Sequence, residues 1–102
     1  ALPEYASDIL VWRKGTPQET SQVIGELQKY LESFTLGEWT AANLEARIKA
    51  WILERKLETG NVLWPLRVAL SGQPNSPGPF EIAEVLGKEK TLERIQEAIH
   101  RL

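Results

Sequence analysis

Two residues carry chemistry that their surroundings single out. Arg67 is the lone charge in the run "VLWPLRVAL", and Phe80 follows directly on the stretch "QPNSPGP". A guanidinium in an apolar run has two uses. Either its stem packs while its head reaches water, or it aims a planar fork of N–H donors at a base edge or a phosphate. Phe80 poses a similar choice. With about 100° per helical residue and Phe80 set at zero, Ile82, Val85 and Leu86 fall near roughly 200°, 140° and 240°. That spacing predicts one buried face made of those three. Phe80 then stands on the opposite side, beside Glu81 and Glu84. A ring so placed either stacks on an unpaired RNA base, worth about 1–3 kcal/mol, or crosses the loop to cover a neighbouring helix. The loop itself is either an ordinary helix–helix turn or a pre-ordered platform. Its prolines limit its conformations, and Gly78 permits close approach of a ligand to the backbone.

The remaining composition narrows the classes. The 102 residues predict one compact domain with a core of its own. With no cysteine, disulfides and thiolate metal sites are excluded, and the single histidine, His100, makes no metal site alone. It falls at a helix end, where an imidazolium suits the dipole. Twelve basic against fourteen acidic residues argue against a DNA-type coat of positive charge, but leave room for a small, shape-directed RNA site. No apolar run is long enough to span a bilayer and no signal peptide is visible. There is no nucleophile–histidine pairing and no Walker or Rossmann glycine loop, so no catalytic residue and no metal ligand is predicted. The chain starts on Ala1 rather than Met, and residues 1–15 read as a linker entering a domain over 16–102 of a longer protein.

The elements that must position Arg67 and Phe80 read as helices throughout, an all-α compact bundle of five to six short helices. Thr16 caps the first, with Pro17 at its first position, Glu19 completing a capping box, and Ile24, Leu27, Leu31 and Phe34 in one stripe. "TLGEW" reads as a connector. Thr40 caps a second helix with Leu44, Ile48, Trp51 and Ile52 buried, and Gly60 reads as its stop. Pro65 either kinks the third helix or sits in its first turn, and Gly72 ends it. Pro79 opens a short helix that Gly87 terminates, and Leu92, Ile95, Ile99 and Leu102 line the last one. Trp51 and Trp64 read as packing. Trp12 and Trp39 flank connectors and are expected at an interface with the rest of the protein.

"LWPLRVALSG" followed by "SPGPFEIAEVLGKEKTLERIQEAI" resembles the C-terminal end of bacterial-type glutamyl-tRNA synthetases. In that family a Pro-Leu-Arg helix ends in Thr/Ser-Gly, a Ser/Thr-Pro-Gly-x-Phe loop follows, and Gly-Lys-Glu opens the last helix. "WTAANLEARIKAWILERKLETGNV" is similar to the preceding helix of the family and its glycine turn. The resemblance spans nearly the whole chain, is most specific over 63–91 and is loose before residue 38. It implies an all-helical anticodon-binding domain, with Arg67, the loop residues Ser76, Pro77, Gly78, Pro79 and Phe80, and Lys49 on an earlier helix meeting the anticodon loop of tRNA-Glu. It further implies a cytoplasmic, monomeric parent enzyme, with the remainder of the synthetase chain as a partner. ATP and Mg²⁺ would be used by that enzyme and no cofactor by this stretch, which lacks the HIGH-like and KMSKS-like motifs. Two positions depart from the family. Pro79 has no backbone N–H to donate, and Lys49 offers a point charge where some relatives have an arginine fork. The competing expectation is a non-catalytic helical protein-interaction module, with Trp12, Trp39 and Phe80 marking its patch.

Overall fold

The computed structural model describes residues 10–11, 16–72 and 78–102. Among them the chain is helical: α1 (Pro17–Glu32), a 3₁₀ turn (Leu36–Glu38), α2 (Ala41–Glu54), α3 (Thr59–Ser71), α4 (Pro79–Leu86) and α5 (Lys88–Arg101). α3 is central and packs on α1, α4 and α5, while α1 lies along α5 and α2 rests on α4. One apolar core runs through all five helices and includes Leu10 of the N-terminal stretch.

The long helices follow their sequence patterns. The Thr16 hydroxyl accepts the Glu19 amide at 3.2 Å and Thr40 accepts that of Asn43 at 3.2 Å, so both threonines cap as expected. Ile24, Leu27 and Leu31 of α1 are buried, as are Leu44, Ile48, Trp51 and Ile52 of α2. In α5 the deepest positions are Thr91, Ile95 and Ala98, with Leu92, Ile99 and Leu102 packed at the margin. Gln28 of α1 reaches across to the Leu92 carbonyl and the Gln96 amide oxygen, tying α1 to α5.

Two boundaries differ from the expected ones. α2 stops at Glu54, not at Gly60. Its end is a Schellman turn: the Lys56 amide bonds the Leu53 carbonyl at 3.1 Å, and the Leu57 amide bonds Ile52 at 3.0 Å. Lys56 takes the left-handed position, with φ 58°. Leu57 provides the apolar contact that closes such a turn, since it packs on the core. Gly60 instead lies in the first turn of α3. The connector "TLGEW" is a capped 3₁₀ turn in which the Glu38 carboxylate accepts both the Thr35 amide at 2.8 Å and the Thr35 hydroxyl at 3.1 Å. Pro65 sits in the interior of α3 and is buried there, so its missing N–H leaves the Asn61 carbonyl without an intrahelical donor. Gly72 ends α3 with φ 77°, and Gly87 divides α4 from α5 with φ 85° and ψ 165°, a conformation open to glycine almost alone.

Candidate nucleic-acid interface

α3 is buried on most of its circumference. Val62, Pro65, Leu66, Val68, Ala69 and Leu70 face the core. Beyond the exposed Thr59 and a partly exposed Asn61 in the first turn, the half-open positions are Gly60, Leu63, Trp64, Arg67 and Ser71, which at 100° per residue form one strip with Arg67 at its centre. The Arg67 Nε is buried and has no hydrogen-bond partner. A buried N–H left unpaired costs about 1–3 kcal/mol. One turn on, the Ser71 hydroxyl donates back to the Arg67 carbonyl at 2.8 Å.

Most other cations among the described residues are already engaged. Arg47 pairs with Glu38 at 2.7 Å, Arg55 with Glu26 at 3.2 Å and Arg101 with Glu97 at 3.3 Å. Arg47 also lies over the Phe34 ring and Arg55 over Trp51. Lys88 donates to the Glu32 and Phe34 carbonyls at 2.8 and 2.6 Å, capping the C-terminal end of α1. Arg94 donates to the Leu70 carbonyl at the end of α3. Glu38 is held below its ordinary value of 4.5, first by the Thr35 amide, then by the Thr35 hydroxyl, with Arg47 adding to both. These groups hold the scaffold together, and Arg67 is not enlisted in that work.

The predicted site residues are placed as follows. Arg67 is on α3, and Gly78, Pro79 and Phe80 form the start of α4, which packs on α3. Ser76 and Pro77 lie outside the described residues, as does Trp12. Gly78 has φ −54° and ψ 142°, an ordinary extended conformation, and a Cβ added to it would meet nothing within 4 Å. Neither backbone strain nor packing within the chain calls for glycine there, and the space beside it is open. Pro79 is buried in the first turn of α4. Lys49 is on the exposed side of α2, and its ammonium is held by Glu45 at 2.7 Å. Among the described residues no hydrogen bond or ion pair links Lys49 to α3 or α4.

Phe80 does not stand where its spacing placed it. It is only 8% exposed and belongs to the core with Ala83, whereas Val85 of the expected buried face is 87% exposed, and Ile82 and Leu86 are partly buried. α4 is therefore turned by about a quarter from the expected orientation. The small Ala83 marks the true inner side, and Phe80, at its edge, is large enough to reach in. Trp39 is likewise buried, not interfacial. Its indole N–H donates to the Ala83 carbonyl at 2.8 Å, and Thr91 donates to the same oxygen at 3.3 Å. Beside it the Glu84 carboxylate accepts the Ala41 amide at 2.7 Å, so α4 caps α2.

Lys88 is thus a positioning residue that the sequence did not single out, and Trp39 and Glu84 hold elements together where an interface and a solvated face were expected. For Glu38 a signal was present, since "TLGE" has the Thr-x-x-Glu spacing of a capping box. Among the described residues no cluster of His, Asp or Glu could hold a metal ion, and no helix is long and apolar enough to cross a membrane. The arrangement is an unpaired donor on α3 and an uncrowded glycine at the start of α4, which suits binding.

Residues 1–99 match the anticodon binding domain family. The chain belongs to that family. It is 41% identical to a glutamate–tRNA ligase of Clostridium kluyveri over 99% of its own length and 21% of that protein's. Glutamate–tRNA ligases of Christiangramia forsetii and Clostridium tetani are each 40% identical to it, over 89% and 99% of the chain. The chain spans about a fifth of the length of these relatives. Within an anticodon-binding domain, the Gly-Lys-Glu stretch that opens α5 has a structural reason. Gly87 makes the turn between helices, and Lys88 caps α1 from it.

Proposed function

We propose that this chain is the anticodon-binding domain of a glutamate–tRNA ligase, and that it holds the anticodon loop of tRNA-Glu for a catalytic domain carried elsewhere in the parent protein. The observation that carries the reading is the 41% identity to such a ligase along 99% of the chain. The orphan Nε of Arg67 and the unfilled space at Gly78 support its placement. On this reading residues 1–15 link the domain to the rest of the parent, a cytoplasmic monomer. Activation of glutamate with ATP and Mg²⁺ belongs to that remainder, and this stretch does neither chemical step.

The site is Arg67 with the loop 76–80. Arg67 presents its fork to a base edge or phosphate of the unstacked loop. Gly78 lets the RNA approach the backbone, and the Pro79 carbonyl accepts where its nitrogen has nothing to donate. Phe80 serves by anchoring the loop to the core, with only its rim available to a base. Lys49 adds a charge at the margin once it exchanges Glu45 for a phosphate. The rival reading, a protein-interaction module, loses two of its three marker aromatics, since Trp39 and Phe80 are buried.

The test is an NMR titration of the labelled chain with the tRNA-Glu anticodon stem-loop at low salt, with a scrambled loop as control. Shifts clustered at Arg67 and 76–80 for the cognate loop alone are expected, fading steeply as salt rises. Equal shifts with both loops, or none, would contradict the reading.

A further inference from the structure

The α3 strip holds more than Arg67. Trp64 lies one turn before it and Ser71 one turn after, and all three are partly exposed, Trp64 with part of its ring packed on the core. Residues three and four apart on a helix are surface neighbours, with Cβ atoms about 5–6 Å apart. The strip therefore sets a flat indole beside an arginine whose Nε has no partner. Beyond them the surface drops to a serine whose hydroxyl is turned back to the Arg67 carbonyl at 2.8 Å, and then to Gly72 at the mouth of the loop. From Trp64 to Ser71 the rise is about 10 Å.

We propose that Trp64 is a second RNA contact, a stacking platform for the unpaired base next to the one that Arg67 engages. The proposal rests on the anticodon-binding reading above and extends its site along α3, away from the loop. An aromatic face and a donor fork side by side are what recognition of single-stranded nucleotides calls for. The position also favours RNA over a protein partner. Among the described residues the exposed large apolar side chains are Leu36, Leu53 and Val85, none of them on α3, so an apolar patch built from these would centre elsewhere. The strip offers one charge beside one aromatic and a partly buried leucine, Leu63.

The experiment follows tryptophan emission of the chain during titration with the tRNA-Glu anticodon stem-loop and with a scrambled loop, for the parent, Trp64→Phe, Trp64→Leu and Arg67→Met. The cognate loop is expected to quench the parent. Trp64→Phe should keep its affinity within about threefold but lose the quenching, because a phenyl ring still stacks while the reporting indole is gone. Trp64→Leu should bind roughly 5- to 100-fold more weakly. If Trp64→Leu melts at a lower temperature, the lost quenching in Trp64→Phe decides alone. Unchanged affinity in a folded Trp64→Leu, or full quenching in Trp64→Phe, overturns the proposal and assigns the apolar part of the strip to contact with the rest of the parent chain. Arg67→Met separates the two levels. If it binds weakly while Trp64→Leu binds normally, only the Trp64 contact is wrong. If it too binds like the parent, or no RNA binds at all, the site reading falls and takes this proposal with it.

Discussion

Around Trp39, Glu38 and Lys88 the polar groups find partners inside the chain, whereas on the open strip of α3 Arg67 keeps a buried N–H with none. The first region joins α1, α2 and the connector between them to α4 and α5. The Ala83 carbonyl takes bonds from Trp39 and Thr91, Glu84 caps α2, and Lys88 caps α1. Nothing there is left for a ligand. The second region has an unmet donor, a glycine that the fold does not need, and a partly buried indole. On the proposed function, the difference separates what holds the bundle together from what meets the RNA. A chain selected for stability alone would replace Arg67 with an apolar residue of its length.

That contrast can be sharpened by substitution. The largest effect belongs to the core beneath the strip. Leu66→Ala, next to Arg67 but pointing inward, should lose about 2–5 kcal/mol in urea unfolding, because it leaves a cavity in the central helix. In the scaffold region Lys88→Met should cost about 1.5–3 kcal/mol, the loss of charged hydrogen bonds to the end of α1, and leave RNA affinity unaltered. An affinity that fell with it would blur the division between the two regions. Lys56→Gly should raise stability by about 1 kcal/mol, since glycine takes φ 58° without the steric cost that lysine bears. A destabilised variant would mean that the lysine side chain has a use the turn does not reveal.

The smallest effect is one of pH. The Glu38 carboxylate is held below 4.5 in the folded chain, so its contribution is whole above that value and fades as pH falls through the lowered one. Melting temperatures followed from neutral to acid pH should therefore fall more steeply for the parent than for Glu38→Gln. Parallel profiles would show that Thr35 and Arg47 do not favour the charged form.

How much of this could be read beforehand depended on the length and locality of each signal. α1 and α2 each carry several turns of regular apolar spacing, and their buried faces were legible residue by residue. α4 has eight residues and is apolar almost all round, so its period set no unique face. Its two glutamates marked the open side. Val85 lies nearer to them than its apolar character suggested, and Ala83 was too small to be weighed. The stop of α2 was misplaced because glycine is the usual left-handed residue, while here Lys56 fills that position and Leu57 secures it. The burial of Trp39 depends on an acceptor 44 residues away, which no local pattern could announce. Arg67 stood out because its context was local, one charge within nine residues, while its unpaired Nε was visible only in the fold.

Arg67→Met tests the central claim most directly, measured for both unfolding free energy and affinity for the tRNA-Glu anticodon stem-loop. Methionine keeps an apolar stem and removes the unpaired Nε. Stability should hold or rise by up to about 1 kcal/mol, while affinity falls at least tenfold. Retained affinity, or a loss of stability that accounts for the lost binding, would contradict the claim that this arginine is held for the RNA rather than for the fold.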